Sequence, residues 1–199
     1  RSPKSNDMAP GTSDLARQLI DLRETIGLLR ESEMRWRQIF DLVPHMLFAK
    51  DREGRFLQAN RALARAYGKT VEELIGCRQQ DIHPVPDEVR QMLDYDRQVI
   101  DNDVSMTVSE LTFTDVRGRR RVLQVTKVPF TAAGSGDRAV LGVAVDVTDV
   151  KVAEAILRES ESRYRALFES TGDAIMLLGD TGFLECNQAT LDLFGCSSP

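Results

Sequence analysis

A segment near the start of the chain is repeated near its end, and this repeat constrains the fold more than any other feature. Residues 29–33 read LRESE, and residues 157–161 read LRESE again, 128 positions later. The further matching pairs are Arg35 with Arg163, Trp36 with Tyr164, Arg37 with Arg165, Phe40 with Phe168 and, after a one-residue deletion, Phe56 with Phe183, Asn60 with Asn187 and Gly68 with Gly195. This period is far longer than a solenoid repeat and is about the size of one domain with its connector. We therefore expect one complete unit and the first third of a second, in a fragment of a longer tandem-domain protein.

The composition is that of a soluble globular protein with one substantial core. Of 199 residues, 42% are hydrophobic and 29% are charged. No apolar run approaches the ~20 residues that span a bilayer, so we expect no direct membrane contact and no secretion signal. Three scattered cysteines imply no disulfide framework, and a reducing, cytoplasmic setting fits them best. The net charge of −5 argues against a nucleic-acid partner, because phosphate contacts need clustered Lys and Arg.

The first ordered element is predicted to be a coiled-coil helix at residues 14–43, after a disordered leader at residues 1–13. The leader is rich in Ser, Pro, Asn and Gly and has no periodicity. In the helix, apolar residues recur at alternating spacings of four and three, which is typical of a coiled-coil seam. The seam residues are Leu15, Leu19, Leu22, Ile26, Leu29, Trp36 and Phe40. This pattern predicts a parallel homodimer, with a single helix packed on its own domain as the alternative.

Residues 44–149 are predicted to form an α+β domain. Two short extended runs joined by an Asp- and Gly-containing turn come first, and Asn60 and Gly68 are placed to cap the ends of the next helix. Short helical turns, a helix starting at Asp87 and three β segments from Val104 onward complete the order. Two leading and three trailing strands make a five-stranded antiparallel sheet with helices on one face, flanked by long N- and C-terminal helices.

This order of elements and a series of short motifs resemble a PAS (Per-Arnt-Sim) sensor domain of bacterial signalling proteins. The matching pieces are Lys50-Asp51, Gly54-Arg55-Phe56, Asn60, Gly68, Glu72-Glu73-Leu74-Ile75-Gly76, Thr126-Lys127-Val128-Pro129 and Gly142 with Asp146-Val147-Thr148-Asp149. No piece is specific alone, but together they occur in order and a second copy echoes them. The resemblance covers residues 34–150. It implies a PAS domain at 44–149, a linker or signalling helix at 150–168 and the truncated start of a second PAS domain at 169–199.

In PAS domains an organic ligand binds between the sheet and the helices, so the resemblance implies a pocket there. The candidate wall residues are Phe48, Phe56, Tyr67, Met92, Phe113, Leu123, Val125 and Val143. Polar contacts, to a carboxylate or similar anion, would come from His45, Lys50, Arg90 and Lys127. The same apolar spacings would equally produce a filled core, and no motif names the ligand.

The sequence contains no motif of an enzyme active site or of a metal centre, so we expect neither catalytic residues nor a bound metal. Haem-binding PAS domains carry an axial histidine on the long helix, whereas His83 falls just before that helix. Flavin-binding photoreceptor PAS domains carry a reactive cysteine after an asparagine, whereas Cys77 directly follows Gly76 and the last strand lacks the glutamine that contacts flavin. The sequence therefore disfavours both haem and flavin. It does not require a cofactor, and it does not identify one.

Asp146 and Thr148 resemble the Asp-Ile-Thr signature at which a PAS sheet passes into its output helix. Such residues can cap the new helix and tie it to the last strand, or they can simply form a helix start.

We therefore expect a cytoplasmic, non-catalytic sensory and dimerisation module that binds a small molecule or partner. It would relay the signal through its C-terminal helix to a histidine kinase or a cyclic-di-GMP enzyme. The alternatives are a haem- or flavin-containing redox or light sensor and a ligand-free structural dimer spacer.

Overall fold

The computed structural model describes residues 11–132, 136–180 and 182–196, except for the side chains of residues 11–16 and 183. The chain forms two compact units, and the boundary between them lies between Asp146 and Val147 in the sequence. The first unit contains α1 (Gly11–Leu42), β1 (Met46–Asp51), β2 (Phe56–Ala59), α2 (Arg61–Tyr67), α3 (Val71–Leu74), α4 (Gln79–Ile82), α5 (Pro86–Asn102), β3 (Met106–Thr114), β4 (Arg120–Thr131) and β5 (Arg138–Asp146). The second contains α6 (Thr148–Ser170), β6 (Met176–Gly179), β7 (Gly182–Cys186) and α7 (Gln188–Phe194).

The first unit is built on a five-stranded sheet in the order β2-β1-β5-β4-β3, and every neighbouring pair of strands is antiparallel. Helices α2 and α3 contact β1 and β2, and α5 contacts β3, β4 and β5. The predicted α+β class and five-stranded antiparallel sheet are confirmed.

Alternation along the strands gives the sheet one face that is buried under the helices and one that is more exposed. In β4, for example, Leu123, Val125 and Lys127 are buried, whereas Gln124 and Thr126 between them are exposed. The core therefore lies between the sheet and the helices, and its buried apolar members are Met46, Phe48, Phe56, Ala59, Leu63, Ala64, Tyr67, Leu74, Met92, Leu111, Phe113, Leu123, Val125 and Ala144.

Helix α1 begins earlier than expected. The sequence placed its start at Asp14 or Leu15, whereas the helix runs from Gly11, so residues 11–13 are helical rather than part of a disordered leader. The rest of the leader, residues 1–10, lies outside the described residues. None of the described helices is both long enough and apolar enough to cross a membrane.

A buried asparagine ties the helix before the first hairpin to the elements that follow it. The Asn60 side-chain Nδ2 donates to the carbonyls of Phe40 at 3.2 Å and His45 at 2.8 Å. Its Oδ1 accepts from the N–H groups of Leu47 at 3.0 Å and Leu63 at 3.1 Å, and the second of these bonds caps α2. We call this arrangement the asparagine clasp. It fixes the end of α1 to the start of the sheet.

The second unit builds the same clasp with the repeated asparagine. The Nδ2 of Asn187 donates to the carbonyls of Phe168 at 3.0 Å and Asp173 at 2.9 Å. Its Oδ1 accepts from the N–H groups of Ile175 at 3.0 Å and Thr190 at 3.1 Å, which caps α7. The sequence repeat is therefore also a repeat of hydrogen bonds, with α6 in the place that α1 occupies in the first unit.

Candidate functional site

Three charged side chains meet inside the core of the first unit. The Lys50 Nζ lies 2.5 Å from Asp96 Oδ2, and the Lys127 Nζ lies 2.6 Å from Asp96 Oδ1. Each of these side chains is at most 2% exposed. We call Lys50, Asp96 and Lys127 the buried triad. Two cations therefore share one anion in the interior of the unit, away from bulk solvent.

The fold places the buried triad by the ordinary periodicities of strand and helix. Lys50 follows Met46 and Phe48 at every second position of β1, and Lys127 follows the inward residues of β4 in the same way. Asp96 lies on the buried stripe of α5 that also carries Val89 and Val99. Neither lysine can reach solvent without leaving the core.

Polar partners surround the two ammonium groups. The Lys50 Nζ donates to Gln79 Oε1 at 2.6 Å, and the Lys127 Nζ donates to the Met92 carbonyl at 3.1 Å. The Gln79 Nε2 donates in turn to the Tyr67 hydroxyl at 3.0 Å. The rings of Phe48 and Tyr95 lie near the lysines, with the Lys50 Nζ 4.8 Å from the first ring centroid and the Lys127 Nζ 5.5 Å from the second. These contacts replace part of the hydration that the two cations lose on burial, and so they reduce its cost.

The pKa values of Asp96 and Lys127 are both lowered in the folded protein, for different reasons. Burial alone would raise the pKa of Asp96, but the nearby ammonium groups of Lys50 and Lys127 outweigh it and hold that pKa below its usual range. Burial lowers the pKa of Lys127 to about 8, although the charge of Asp96 opposes the shift. Burial also raises the pKa of Tyr67, which keeps its hydroxyl neutral. Near neutral pH, Asp96 is therefore a carboxylate and Lys127 is mainly an ammonium group.

A cavity of about 30 Å³ lies beside the triad. Its lining is mainly apolar, and Lys50, Lys127, Gln79 and Tyr67 provide its polar atoms. The remaining lining residues are Met46, Phe48, Phe56, Leu63, Met92, Leu111, Phe113, Leu123, Val125 and Ala144. This volume is enough for one or two water molecules, whereas pockets for drug-sized ligands usually reach ~300 Å³ or more.

Most of the residues predicted for the pocket line this cavity. They are Phe48, Lys50, Phe56, Tyr67, Met92, Phe113, Leu123, Val125 and Lys127. The fold therefore brings together side chains from α2, α5 and four of the five strands.

Three predicted pocket residues lie elsewhere. His45 is exposed just before β1 and lines an open groove on the surface. Arg90 is exposed on α5, one position beyond the buried Val89, and pairs with Asp87 on the same helix. Val143 pairs with Leu47 and Thr126 on the sheet face that points away from the helices, because its neighbour Ala144 takes the inward position.

Sequence reasoning missed Asp96 and Gln79, which hold the two lysines. A signal for Asp96 was present, because it occupies a buried-stripe position of α5 where an apolar residue would be expected. Two lysines at inward strand positions would have required a carboxylate opposite them. Gln79 lies on α4, a single short turn without a periodic pattern, and no sequence signal marks it.

The residues present do not fit a haem or a flavin. The His83 Nε2 lies 2.7 Å from Glu88 Oε2, and the imidazole packs against the rings of Tyr67 and Phe113. The cavity is far too small for either cofactor. Cys77 does not line the cavity, and its Sγ donates to the Glu73 carbonyl at 3.1 Å. Within the described residues, no three His, Cys, Asp or Glu side chains are grouped as metal ligands would be.

The predicted dimer seam is an apolar stripe without cover in its own unit. Leu19, Leu22, Ile26, Leu29 and Trp36 are exposed on α1, and Phe40 is half-buried near the clasp. The side chain of Leu15 lies outside the described residues.

The predicted coupling residues lie at the end of the sheet. Asp146 ends β5, and its Oδ2 accepts from Arg121 Nη1 at 2.6 Å. Arg121 also donates to the buried carboxylate of Asp115 at 3.0 Å. Thr148 is the first residue of α6 and Val147 takes the capping position without a side-chain hydrogen bond, so Thr148 is not the expected N-cap.

Comparison with known proteins identifies relatives of both units. Residues 40–152 match a family model described as PAS fold, and residues 162–199 match one described as PAS domain. The C4-dicarboxylate transport sensor protein DctS of Rhodobacter capsulatus is 30% identical over 113 residues, which are 57% of this chain and 17% of that protein. The aerobic respiration control sensor protein ArcB of Escherichia coli (strain K12) is 26% identical over 136 residues, which are 68% of this chain and 17% of that protein. The chain thus spans about a sixth of the length of these curated relatives.

A solved structure of VqmA from Vibrio cholera with ligand and DNA has a TM-score of 0.53 and 19% sequence identity. The match covers 82% of this chain and 75% of that one. At this identity the likeness concerns the fold alone.

Proposed function

The chain belongs to the PAS family, and from that premise we propose that it is a cytoplasmic, non-catalytic sensory and dimerisation module. Its first unit binds a small molecule in the cavity beside the buried triad. The signal passes through β5 into α6 and on to an output domain, either a histidine kinase or a cyclic-di-GMP enzyme. The relatives DctS and ArcB, which are named as sensor proteins, support the sensory role.

The observation that carries this proposal is the buried triad, whose two lysines line the cavity. A core built only for stability would use apolar residues there, because removing an ion from water costs several kcal/mol and a buried ion pair often contributes no net stability. Here the chain buries three ions and a hydrogen-bonded glutamine in its middle. Two of these ions, Lys50 and Lys127, line the cavity together with Gln79, as expected of a site that recognises a polar ligand.

The geometry supports a short relay from the cavity to α6. Ala144 lines the cavity, and Asp146 lies two residues further along the same strand. Leu123 also lines the cavity, and its backbone pairs with Asp146 across β4 and β5. A shift of either wall residue would move Asp146 and its ion pair with Arg121. Thr148, which starts α6, would receive this movement through the chain itself.

A ligand-free structural spacer is the second candidate function. The cavity volume of about 30 Å³ favours it, since few organic molecules fit without rearrangement of the walls. In that case the buried triad would serve only to fix the packing of α5 on the sheet.

A thermal-shift screen against a library of small metabolites separates the two functions. The sensory proposal predicts at least one compound that raises the melting temperature of the wild-type chain. Because the triad is proposed to hold the ligand, the same compound should have no effect on Lys127→Met but full effect on Lys69→Met, a half-buried lysine that does not line the cavity. A library without any such compound would favour the spacer.

A further inference from the structure

We infer that the ligand of this cavity is a short-chain monocarboxylate whose carboxylate is held by Lys50 and Lys127. This inference rests on the proposed function and specifies the chemical class that the same site recognises. It is carried by the charge of the buried triad, the donor count of its two lysines and the apolar lining of the cavity.

The charge of the site selects for an anion. The two lysines face Asp96 as their shared carboxylate, so the buried triad keeps an excess of positive charge. A ligand carboxylate would neutralise that excess, whereas a cationic ligand would add to it. Among the lining residues within the described part of the chain, Lys50 and Lys127 are the sole cations.

The two ammonium groups retain capacity to donate. An ammonium group has three N–H donors. The described contacts of Lys50 use two of them, on Gln79 and Asp96, and those of Lys127 use two on the Met92 carbonyl and Asp96. These described contacts leave one N–H donor over on each lysine, and both lysines line the cavity. A bond from such a donor to a carboxylate would be charge-assisted, which is the stronger class of hydrogen bond.

The rest of the lining limits the ligand to one acid group and a short apolar tail. Leu63, Leu111, Phe113 and Met92 line the cavity with apolar surface. A second carboxylate would have no cation to bind among these walls. The cavity of about 30 Å³ holds one or two water molecules, so even a tail of a few carbon atoms requires its walls to move. Met46 and Met92 supply the adjustment that such a tail needs, because methionine is the most adaptable apolar side chain.

The experiment is a calorimetric titration of the whole chain with butyrate and with butyramide, a neutral compound of the same shape. Because the acid alone can pair with the lysines, we expect wild-type protein to bind butyrate at least about thirtyfold more tightly than butyramide. This first comparison needs no variant, so it stands even if a substitution prevents folding. The second comparison uses Lys50→Met and Lys127→Met, each of which should lose most butyrate binding, with Lys69→Met as the control that keeps it.

The outcomes distinguish this inference from the proposed function. Equal or tighter binding of butyramide would overturn the carboxylate inference and leave a small-molecule sensor in place. Failure of acetate, propionate, butyrate and valerate to bind would also overturn it, while any hit in the metabolite screen would still support the sensor. Butyrate binding that survives in Lys127→Met and Lys50→Met would place the acid elsewhere on the protein and overturn the assignment.

Discussion

Asp96 forms ion pairs with two buried lysines at once. It contacts both buried lysines and lies on the buried face of α5, so it joins β1, β4 and the helix through charge. Removing one partner of a buried charge pair is far more damaging than replacing the whole pair, because the other charge stays buried and uncompensated. The three members of the triad are therefore not equivalent in their contribution to stability.

We predict that Asp96→Asn destabilises the protein more than Lys127→Met. The first change leaves two buried ammonium groups facing a neutral amide, and it should cost about 3–5 kcal/mol. The second removes one cation and leaves Lys50 and Asp96 as a neutral pair, so its cost should be less than half as large. Urea unfolding followed by circular dichroism measures both. A Lys127→Met variant that is less stable than Asp96→Asn would contradict the described charge arrangement.

The pKa of Lys127 makes stability depend on pH. Because burial lowers this pKa to about 8 in the folded protein, the unfolded chain binds more protons between pH 8 and its ordinary pKa of 10.5. The groups that face the ammonium are Asp96, Lys50 and the ring of Tyr95. The free energy of unfolding should therefore rise by about 2 kcal/mol from pH 8 to pH 10, relative to Lys127→Met at the same pH values.

Above pH 10 the effect of Tyr67 opposes that of Lys127. Burial raises the pKa of the Tyr67 hydroxyl, so the unfolded chain loses this proton first and stability falls. The measurement is a series of urea titrations at fixed ionic strength. Parallel curves for wild type and Lys127→Met between pH 8 and pH 10 would mean that Lys127 titrates normally in the folded protein.

At the scale of elements, the asparagine clasp is the contact that repeats in both units. Asn60 and Asn187 are each fully buried and each join the preceding helix, the first strand and the following helix. The helix α6 therefore leaves the sheet of the first unit and enters the clasp of the second.

We predict that Asn60→Ala and Asn187→Ala each destabilise their own unit. Each change leaves buried backbone groups without partners, and the cost should be at least about 2 kcal/mol. Hydrogen exchange should quicken at Leu47 and Leu63 in the first variant and at Ile175 and Thr190 in the second. Asn102→Ala, at the exposed end of α5, is the matched control and should change neither set. Unchanged protection at Leu47 in Asn60→Ala would show that the clasp does not hold β1.

The elements that could be predicted are those whose signal is periodic or local. Alternation identified the strands, and Asn60 and Gly68 marked both ends of α2. The candidate pocket residues that line the cavity in the strands occupy inward positions, which the alternation of buried and exposed residues identifies. The candidates selected for their polar groups alone lie outside the cavity. His45 and Arg90 were chosen for their charge, although neither lies on a buried stripe. Asp96 was missed because its role depends on two lysines that are distant in sequence, and their meeting is decided only by the packing of α5 on the sheet.

At the scale of the whole molecule, α1 presents an apolar stripe that its own unit leaves uncovered. Leu22 and Leu29 are 56% and 64% exposed, and exposed apolar stripes of this spacing are usually covered by a second helix. We propose that a second copy of the same helix covers this stripe, because a seam with this spacing is typical of a coiled coil. Dimerisation through α1 would then place two sensory units side by side.

We predict that Leu22→Glu combined with Leu29→Glu converts the protein from a dimer to a monomer. In a dimer of this variant, four carboxylates would lie along the seam. Like-charge repulsion and the cost of desolvating the carboxylates oppose that arrangement. Light scattering measures the mass. Arg17→Glu combined with Gln38→Glu changes two residues outside the seam and should leave the dimer intact. A dimer that persists in the seam variant would mean that the copies associate through another surface.

The most direct test of the account is methyl NMR of the methionine side chains during a titration with butyrate. The chain has six methionines; Met46 and Met92 line the cavity, whereas Met34 and Met176 are exposed on α1 and β6. If the buried triad forms a ligand site, the Met46 and Met92 signals should shift with butyrate, remain unmoved with butyramide, and lose their response in Lys127→Met. Shifts at Met34 or Met176 without any change at Met46 and Met92 would contradict the claim that this cavity is the sensory site.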